Sequence, residues 1–227
     1  MRSPRVRASL QSGCGEGMGI TAVVFDMGGV VVRTPFELLR RVERVCGAPE
    51  YALDWRGPFD PDSDALWRRM QSGDITEREY WHLRAEEAAP YTGSPDIRNL
   101  FTIAFTEPTE CVRPEAVAML DFCQARGLRT AILTNDMKDF NEPGWSDRVE
   151  FVQRVDAVVD GSVTGVLKPD PRAYAFALEA LGSSPAETLM IDDQPFNIEG
   201  AKGVGMQTCW LDVTDPAGSY ERARQLL

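Results

Sequence analysis

The stretch TAVVFDMGGVVV, Thr21 to Val32, breaks an apolar run with a single acid, Asp26, followed by two glycines, Gly28 and Gly29. An acid that closes a buried strand is costly unless it is paired, coordinated or left open to solvent. Three later stretches place polar groups at matching points: Thr134, Asn135 and Asp136 after AIL, Lys168 after GVL, and Asp192 with Asp193 after TLMI. Carboxylates that converge repel one another unless a cation lies between them, and oxygen donors without histidine or thiolate favour Mg²⁺. Lysine suits a phosphoryl group as a point charge and threonine as a hydrogen-bond donor. Gly28 and Gly29 carry no side chain, so backbone N–H groups there have room to approach phosphate oxygens.

Each stretch also has a plainer reading. Asp-x-Gly-Gly is common in turns, Lys168-Pro169-Asp170 reads as a turn before a helix, and Asp192-Asp193 reads as an N-cap pair. The order of all four, each at the end of an expected strand, favours a phosphate and metal site around Asp26.

To bring these residues together the chain needs a parallel sheet, because ligands of open parallel sheets sit beyond the carboxyl ends of the strands. Five short runs, TAVVF, RTAILT, VDAVVD, TLMIDD and MQTCWL, have strand length and suit burial on both faces. Helical patterns alternate with them, including RPEAVAMLDFCQARG with its stop at Gly127, and DPRAYAFALEALG between Pro171 and Gly182. The fold class is therefore α/β, a Rossmann-like parallel sheet with helices on both faces. The interval 34–108 reads differently, with four helical segments and no strand pattern. Thr76 and Glu79 have capping-box spacing within it. It is expected to be an all-helical insertion after the first strand, with Trp55, Trp67 and Trp81 as packing residues. Residues 19–33 and 109–227 then form the core.

Composition narrows the partners. The 227 residues hold 24 basic and 35 acidic side chains, a formal charge of −11, and no long basic run, which argues against nucleic acid. No apolar run is long enough to cross a membrane. Five scattered cysteines without a C-x-x-C pair favour a reducing, cytoplasmic setting. One histidine, His82, leaves little scope for triads or clustered histidine metal sites. The first 18 residues are basic and Ser/Gly-rich without a signal-like apolar centre, and read as a disordered tail or as a start upstream of an initiator at Met18.

Across Ile20 to Trp210 the chain resembles the haloacid dehalogenase-like hydrolases, through VVFDMGGVV, AILTND, GVLKPDPRAY and LMIDDQPFNIEGAKGVGMQT. The interval 34–108 matches the cap domain of members whose cap follows the first strand. GDIT followed by EYW, together with IDDQPFNIEGA, is similar to phosphatases of the glucose-1-phosphatase type and to the phosphatase domain of soluble epoxide hydrolases. The resemblance implies a hydrolase acting on a small phosphate monoester, such as a sugar phosphate, as a monomer or homodimer. It gives Asp26 the role of nucleophile, Thr134 and the backbone at Asn135 the phosphate oxygens, and Lys168 the developing charge. It assigns Mg²⁺ to Asp26, the carbonyl of Gly28 and Asp193, with Asp192 helping directly or through water, and Asn197 to support of that loop.

One position departs from the pattern: most phosphatases of the superfamily carry an acid/base aspartate two residues after the nucleophile, where this chain has Gly28. Related phosphatases with Asp-x-Gly remain active, with the proton carried by water, by the substrate's phosphate or by a side chain of the cap. The departure keeps two alternatives open, a silent protein that binds a phosphorylated ligand and a 2-haloacid dehalogenase. Dehalogenases of the family usually lack the paired acids found here at 192 and 193. Cap residues facing the site would choose the substrate, and Arg68, Arg69 and Trp81 are candidates that the sequence does not separate from packing or solvated positions.

Overall fold

The computed structural model describes residues 19–227. The expected tail, the alternative start at Met18 and Cys14 lie outside the described residues. All five expected strands form: β1 (Ala22–Phe25), β2 (Arg129–Thr134), β3 (Ala157–Asp160), β4 (Thr188–Asp192) and β5 (Gln207–Trp210). They make one parallel sheet in the order β3-β2-β1-β4-β5. The chain steps outward from β1 to β3 and then returns to the other side of β1 as β4, so the switch point lies between β1 and β4.

The helices are α1 (Pro35–Cys46), α2 (Ala65–Gln71), α3 (Glu77–Thr92), α4 (Ile97–Ala104), α5 (Pro108–Cys111), α6 (Pro114–Ala125), α7 (Met137–Phe140), α8 (Glu150–Arg154), α9 (Gly161–Thr164), α10 (Pro171–Leu181), α11 (Pro195–Gly203) and α12 (Pro216–Gln225). Alternate residues of β1 point to opposite faces. Ala22 and Val24 join the cluster that includes Ala173, Tyr174 and Ala177 of α10 and Ala201 of α11. Val23 and Phe25 join the larger cluster under α6, α12 and the helices that follow β1. The central strands are covered on both sides, as a parallel sheet requires. The edge strands depart from the expected two-sided burial: Val158 of β3 is 39% exposed and Trp210 of β5 is 46% exposed.

Between β1 and α6 the described backbone forms helices and no strand, in keeping with the pattern of that interval. Thr34 and Glu37 make a capping box at the start of α1, and Thr76 and Glu79 make the expected one at α3. These helices pack around an aromatic cluster in which Phe36 meets Trp67 and Trp81 at centroid distances of 5.5 and 5.4 Å. Beside it Arg84 is buried against Asp64, with Nη2 2.6 Å from both carboxylate oxygens and Nε donating to the Tyr80 hydroxyl at 3.1 Å. Asp64 also accepts from the N–H groups of Gly57 and Trp67 at 2.9 Å each. Trp55 and Trp67 are buried packing residues, as expected, and His82 is exposed on α3.

Candidate active site

Register fixes the centre of the site. Phe25 pairs with Ile132 on one side and Ile191 on the other, so the next residue of the β1 chain, Asp26, sits beside the end of β4 at Asp192. The Asp26 N–H donates to the Ile191 carbonyl at 2.9 Å, which continues the ladder one step past the strand. Thr134 is the last residue of β2. Lys168 differs from expectation: GVL is not a strand, and the lysine is in the connection between α9 and α10. Its placement comes from Asn135 instead. The Asn135 side chain accepts from the Lys168 N–H at 2.7 Å and donates to the Lys168 carbonyl at 3.2 Å, so its amide serves the lysine.

That clamp aims a buried ammonium between two acids. Lys168 Nζ is 2.8 Å from Asp26 Oδ1 and 2.6 Å from Asp192 Oδ2. Asp192 is fully buried and both its oxygens are engaged, Oδ2 by Lys168 and Oδ1 by the Gln194 N–H at 2.9 Å and Asn197 Nδ2 at 3.1 Å. Asp193 is less enclosed and accepts from Gln194 Nε2 at 3.1 Å. Ligand oxygens of Asp26, Asp192 and Asp193 lie within 4.8 Å of one another.

The two glycines play different parts. Gly29 has φ +71°, and a Cβ there would meet Asp193 Oδ2 at 2.6 Å, so only glycine allows this turn and this approach. At Gly28 an added Cβ would meet nothing within 4 Å. The missing aspartate is therefore not a steric necessity of the backbone. The same loop is pinned by Arg113, which is buried, donates to the Gly29 carbonyl at 2.9 Å and forks onto Glu37 at 2.9 and 2.6 Å. Arg113 opens the helical stretch RPEAVAMLDFCQARG as the residue before α6, and nothing in that stretch marks its role at the Gly29 loop.

A second group missed by the sequence reading is Glu77, the first residue of α3. It lines the same cavity as Asp26, Thr134, Lys168 and Asp193. Burial pushes its carboxyl above the ordinary range; Lys168 pulls it down and Asp192 pushes it up. Burial likewise raises Asp26 to about 7, with Lys168 opposing and Asp192 adding to the rise. Asp193 is driven well up by burial, then by Asp192, Asp26 and Glu77. One lysine thus faces several carboxylates, and the excess negative charge is what a cation would relieve. The donor set is all oxygen, and the buried Asn197 Oδ1 has no protein partner, leaving another acceptor at the same place. These residues fit a hard divalent cation.

The cavity, about 100 Å³, lies between the sheet edge and the helices of 34–108. Trp81 lines it, whereas Arg68 and Arg69 are exposed and are not among its lining residues, which puts them at the solvated positions the sequence left open. Helix α3 also reaches the core through Arg78, which pairs with Asp136 and, at 3.3 Å, with Asp139.

Residues 20–205 match the family model described as haloacid dehalogenase-like hydrolase. The chain belongs to that family. Proteins similar to it include a phosphatase of Mycobacterium tuberculosis, 29% identical, with 86% of this chain and 88% of the relative aligned. The (S)-2-haloacid dehalogenase 1 of a Pseudomonas strain is 25% identical over 91% of this chain and 90% of its own. Acyl-CoA dehydrogenase family member 10 of Mus musculus is 28% identical over 88% of this chain, which spans only 19% of that relative's length. Among solved structures, a magnesium-bound HAD-hydrolase of Bacillus subtilis superposes with a TM-score of 0.64 at 18% identity, covering 86% of this chain and 87% of its own, a likeness of fold. No helix of the described residues is long and apolar enough to cross a membrane.

Proposed function

We propose that this hydrolase is a Mg²⁺-dependent phosphatase of a small phosphate monoester, working through an aspartyl-phosphate on Asp26. The observation that supports this most is the excess of carboxylates around Lys168: a dehalogenase site has no use for such a cluster, whereas a metal-assisted phosphoryl site needs it. In this reading the helices of 34–108 act as a cap over the core formed by 19–33 and 109–227, and residues from both line one cavity.

Asp26 Oδ1 is held by the Met27 N–H at 2.6 Å and by Lys168, which leaves Oδ2 to attack phosphorus. The new O–P bond forms as the ester P–O bond breaks, and water then hydrolyses the acyl phosphate. Lys168 neutralises charge that develops on the phosphoryl oxygens, and Asp192, with both oxygens engaged, holds the lysine in place. Thr134, buried at the end of β2 and lining the cavity, is placed to donate to a phosphoryl oxygen, with the backbone at Asn135 beside it. Mg²⁺ would be held by Asp26, Asp193 and the Gly28 carbonyl, with Asp192 behind them, and would shield the phosphoryl group from the carboxylates. Glu77, which lines the same cavity, is assigned in this reading to protonate the departing alkoxide in place of an acid at position 28, and the upward push of burial on its carboxyl is in keeping with that role.

Phosphate release from an ester panel, measured with Mg²⁺ and with chelator for wild type and Asp26→Asn, tests the reading. Turnover that needs the metal and vanishes in the variant is expected; turnover indifferent to either refutes it. Dehalogenation is the second reading, supported by the absence of an acid at Gly28 and by the dehalogenase relative. Chloride release from a 2-haloacid in the presence of chelator would establish it instead.

A further inference from the structure

The cavity is lined by the ionic groups at the sheet edge and by a run of aromatic rings. Trp81 meets Phe101 edge-on at 5.4 Å, Phe101 meets Phe140 at 5.0 Å and Phe105 at 5.5 Å, and Phe105 meets Trp145 at 6.0 Å. All five line the cavity and all five are buried. The polar groups near them are already committed. The Trp145 indole donates to the Phe105 carbonyl at 3.2 Å, and the Thr34 hydroxyl belongs to the α1 capping box. Asp136 is paired with Arg78, and Gln194 bonds Asp193 and the side chain of Gln71. Asn141 donates to the Met137 carbonyl at 2.8 Å, and its buried Oδ1, like Asn197 Oδ1, has no hydrogen-bond partner among the described residues.

Charge is as restrictive as hydrogen bonding. Among the described residues that line the cavity, Lys168 is the only cationic side chain, and it is held by Asp26 and Asp192. A substrate with a carboxylate on its alcohol half would bring a second anion to a cavity that has no second cation to receive it. A sugar would bring several hydroxyls to rings that offer no acceptor, with Asn141 Oδ1 and the Glu77 carboxyl as the groups beside them, and each hydroxyl stripped of water without a partner weakens binding. An apolar group loses nothing there and gains the buried ring surface.

We infer that the substrate is a phosphate monoester of an uncharged, predominantly apolar alcohol. This rests on the reading of the floor as a phosphoryl site and narrows the expectation of a sugar phosphate.

The test separates substrate class from catalysis. Binding of non-hydrolysable benzylphosphonate, phosphonoacetate and a hexose phosphonate to the Mg²⁺-loaded wild-type chain is followed by calorimetry, and phosphate release is followed from benzyl phosphate, phosphoglycolate and a hexose phosphate. Benzylphosphonate is expected to bind at least tenfold more tightly than either competitor, and that result stands whether or not the esters turn over. Equal or tighter binding of phosphonoacetate or the hexose phosphonate overturns the inference, as does failure of all three to bind at millimolar concentration. Binding in the expected order with no phosphate released from any ester would instead refute the phosphatase reading.

Discussion

Two buried charged clusters, one under the helices of 34–108 and one at the edge of the sheet, are built from the same kinds of residue and behave in opposite ways. In the first, Arg84 meets Asp64 at 2.6 Å, and N–H groups of Trp67 and Gly57 complete the carboxylate's hydrogen bonds. Burial pushes Asp64 up, but those donors and Arg84 outweigh it, and the carboxyl lies below its ordinary value. In the second, Lys168 is shared between Asp26 and Asp192 while Asp193 and Glu77 crowd the same cavity, and Asp26, Asp193 and Glu77 are all pushed upward. A cluster that closes its own charge balance holds structure together. A cluster left with excess charge of one sign is prepared for a partner of the other sign, which in the proposed function is a cation accompanying a phosphoryl group.

The largest expected effect breaks the site and spares the fold. Asp26→Asn removes the attacking oxygen, and phosphate release is expected to fall by at least ~10³-fold, while the melting temperature in chelator does not drop, because a negative charge has left an over-charged cluster. Arg84→Met inverts that outcome. It leaves Asp64 buried without its cation, and urea unfolding is expected to show a loss of about 3–5 kcal/mol, with kcat per folded molecule nearly unchanged. Both variants losing activity without loss of stability would erase the distinction between the clusters.

Glu77→Gln is expected to lower kcat by about 10–100-fold, at or below the usual range for loss of a general acid. Its readout beyond rate is the leaving group: esters of acidic phenols should be far less affected than esters of alkyl alcohols, whereas a purely structural role would slow both alike. The smallest effect concerns acid. The folded value of Asp64 is lowered relative to the unfolded chain, so the stability it contributes is present above about pH 4 and is lost as the pH falls through the folded value. Thermal melts between pH 2.5 and 5 should show a shallower acid limb in Asp64→Asn than in wild type.

The clusters also differ in how readable they are from sequence. The floor of the site was legible because each of its acids ends a short apolar run, and strand ends of a parallel sheet converge. Lys168 was identified for the wrong local reason, since the residues before it form no strand; what positions it is the Asn135 side chain across 33 residues. Gly28 and Gly29 look alike in sequence, and only the left-handed φ of Gly29 and its closeness to Asp193 tell them apart. Glu77 and Arg113 were missed because each reaches the site through tertiary packing. Glu77 does follow Thr76, whose capping box fixes where α3 begins, and that is the one local signal that could have drawn attention to it. The aromatic wall carries no motif either: Trp81, Phe101 and Trp145 come from separate segments, and in the sequence Trp81 reads equally as a packing residue and as a substrate-facing one.

The central claim is tested most directly by rapid acid quench of the Mg²⁺-loaded enzyme with a phosphate-labelled aryl ester, followed by peptide mapping. The account predicts a hydroxylamine-sensitive label on the peptide that contains Asp26, absent in Asp26→Asn and absent with chelator. Steady phosphate release with no label on that peptide would contradict it.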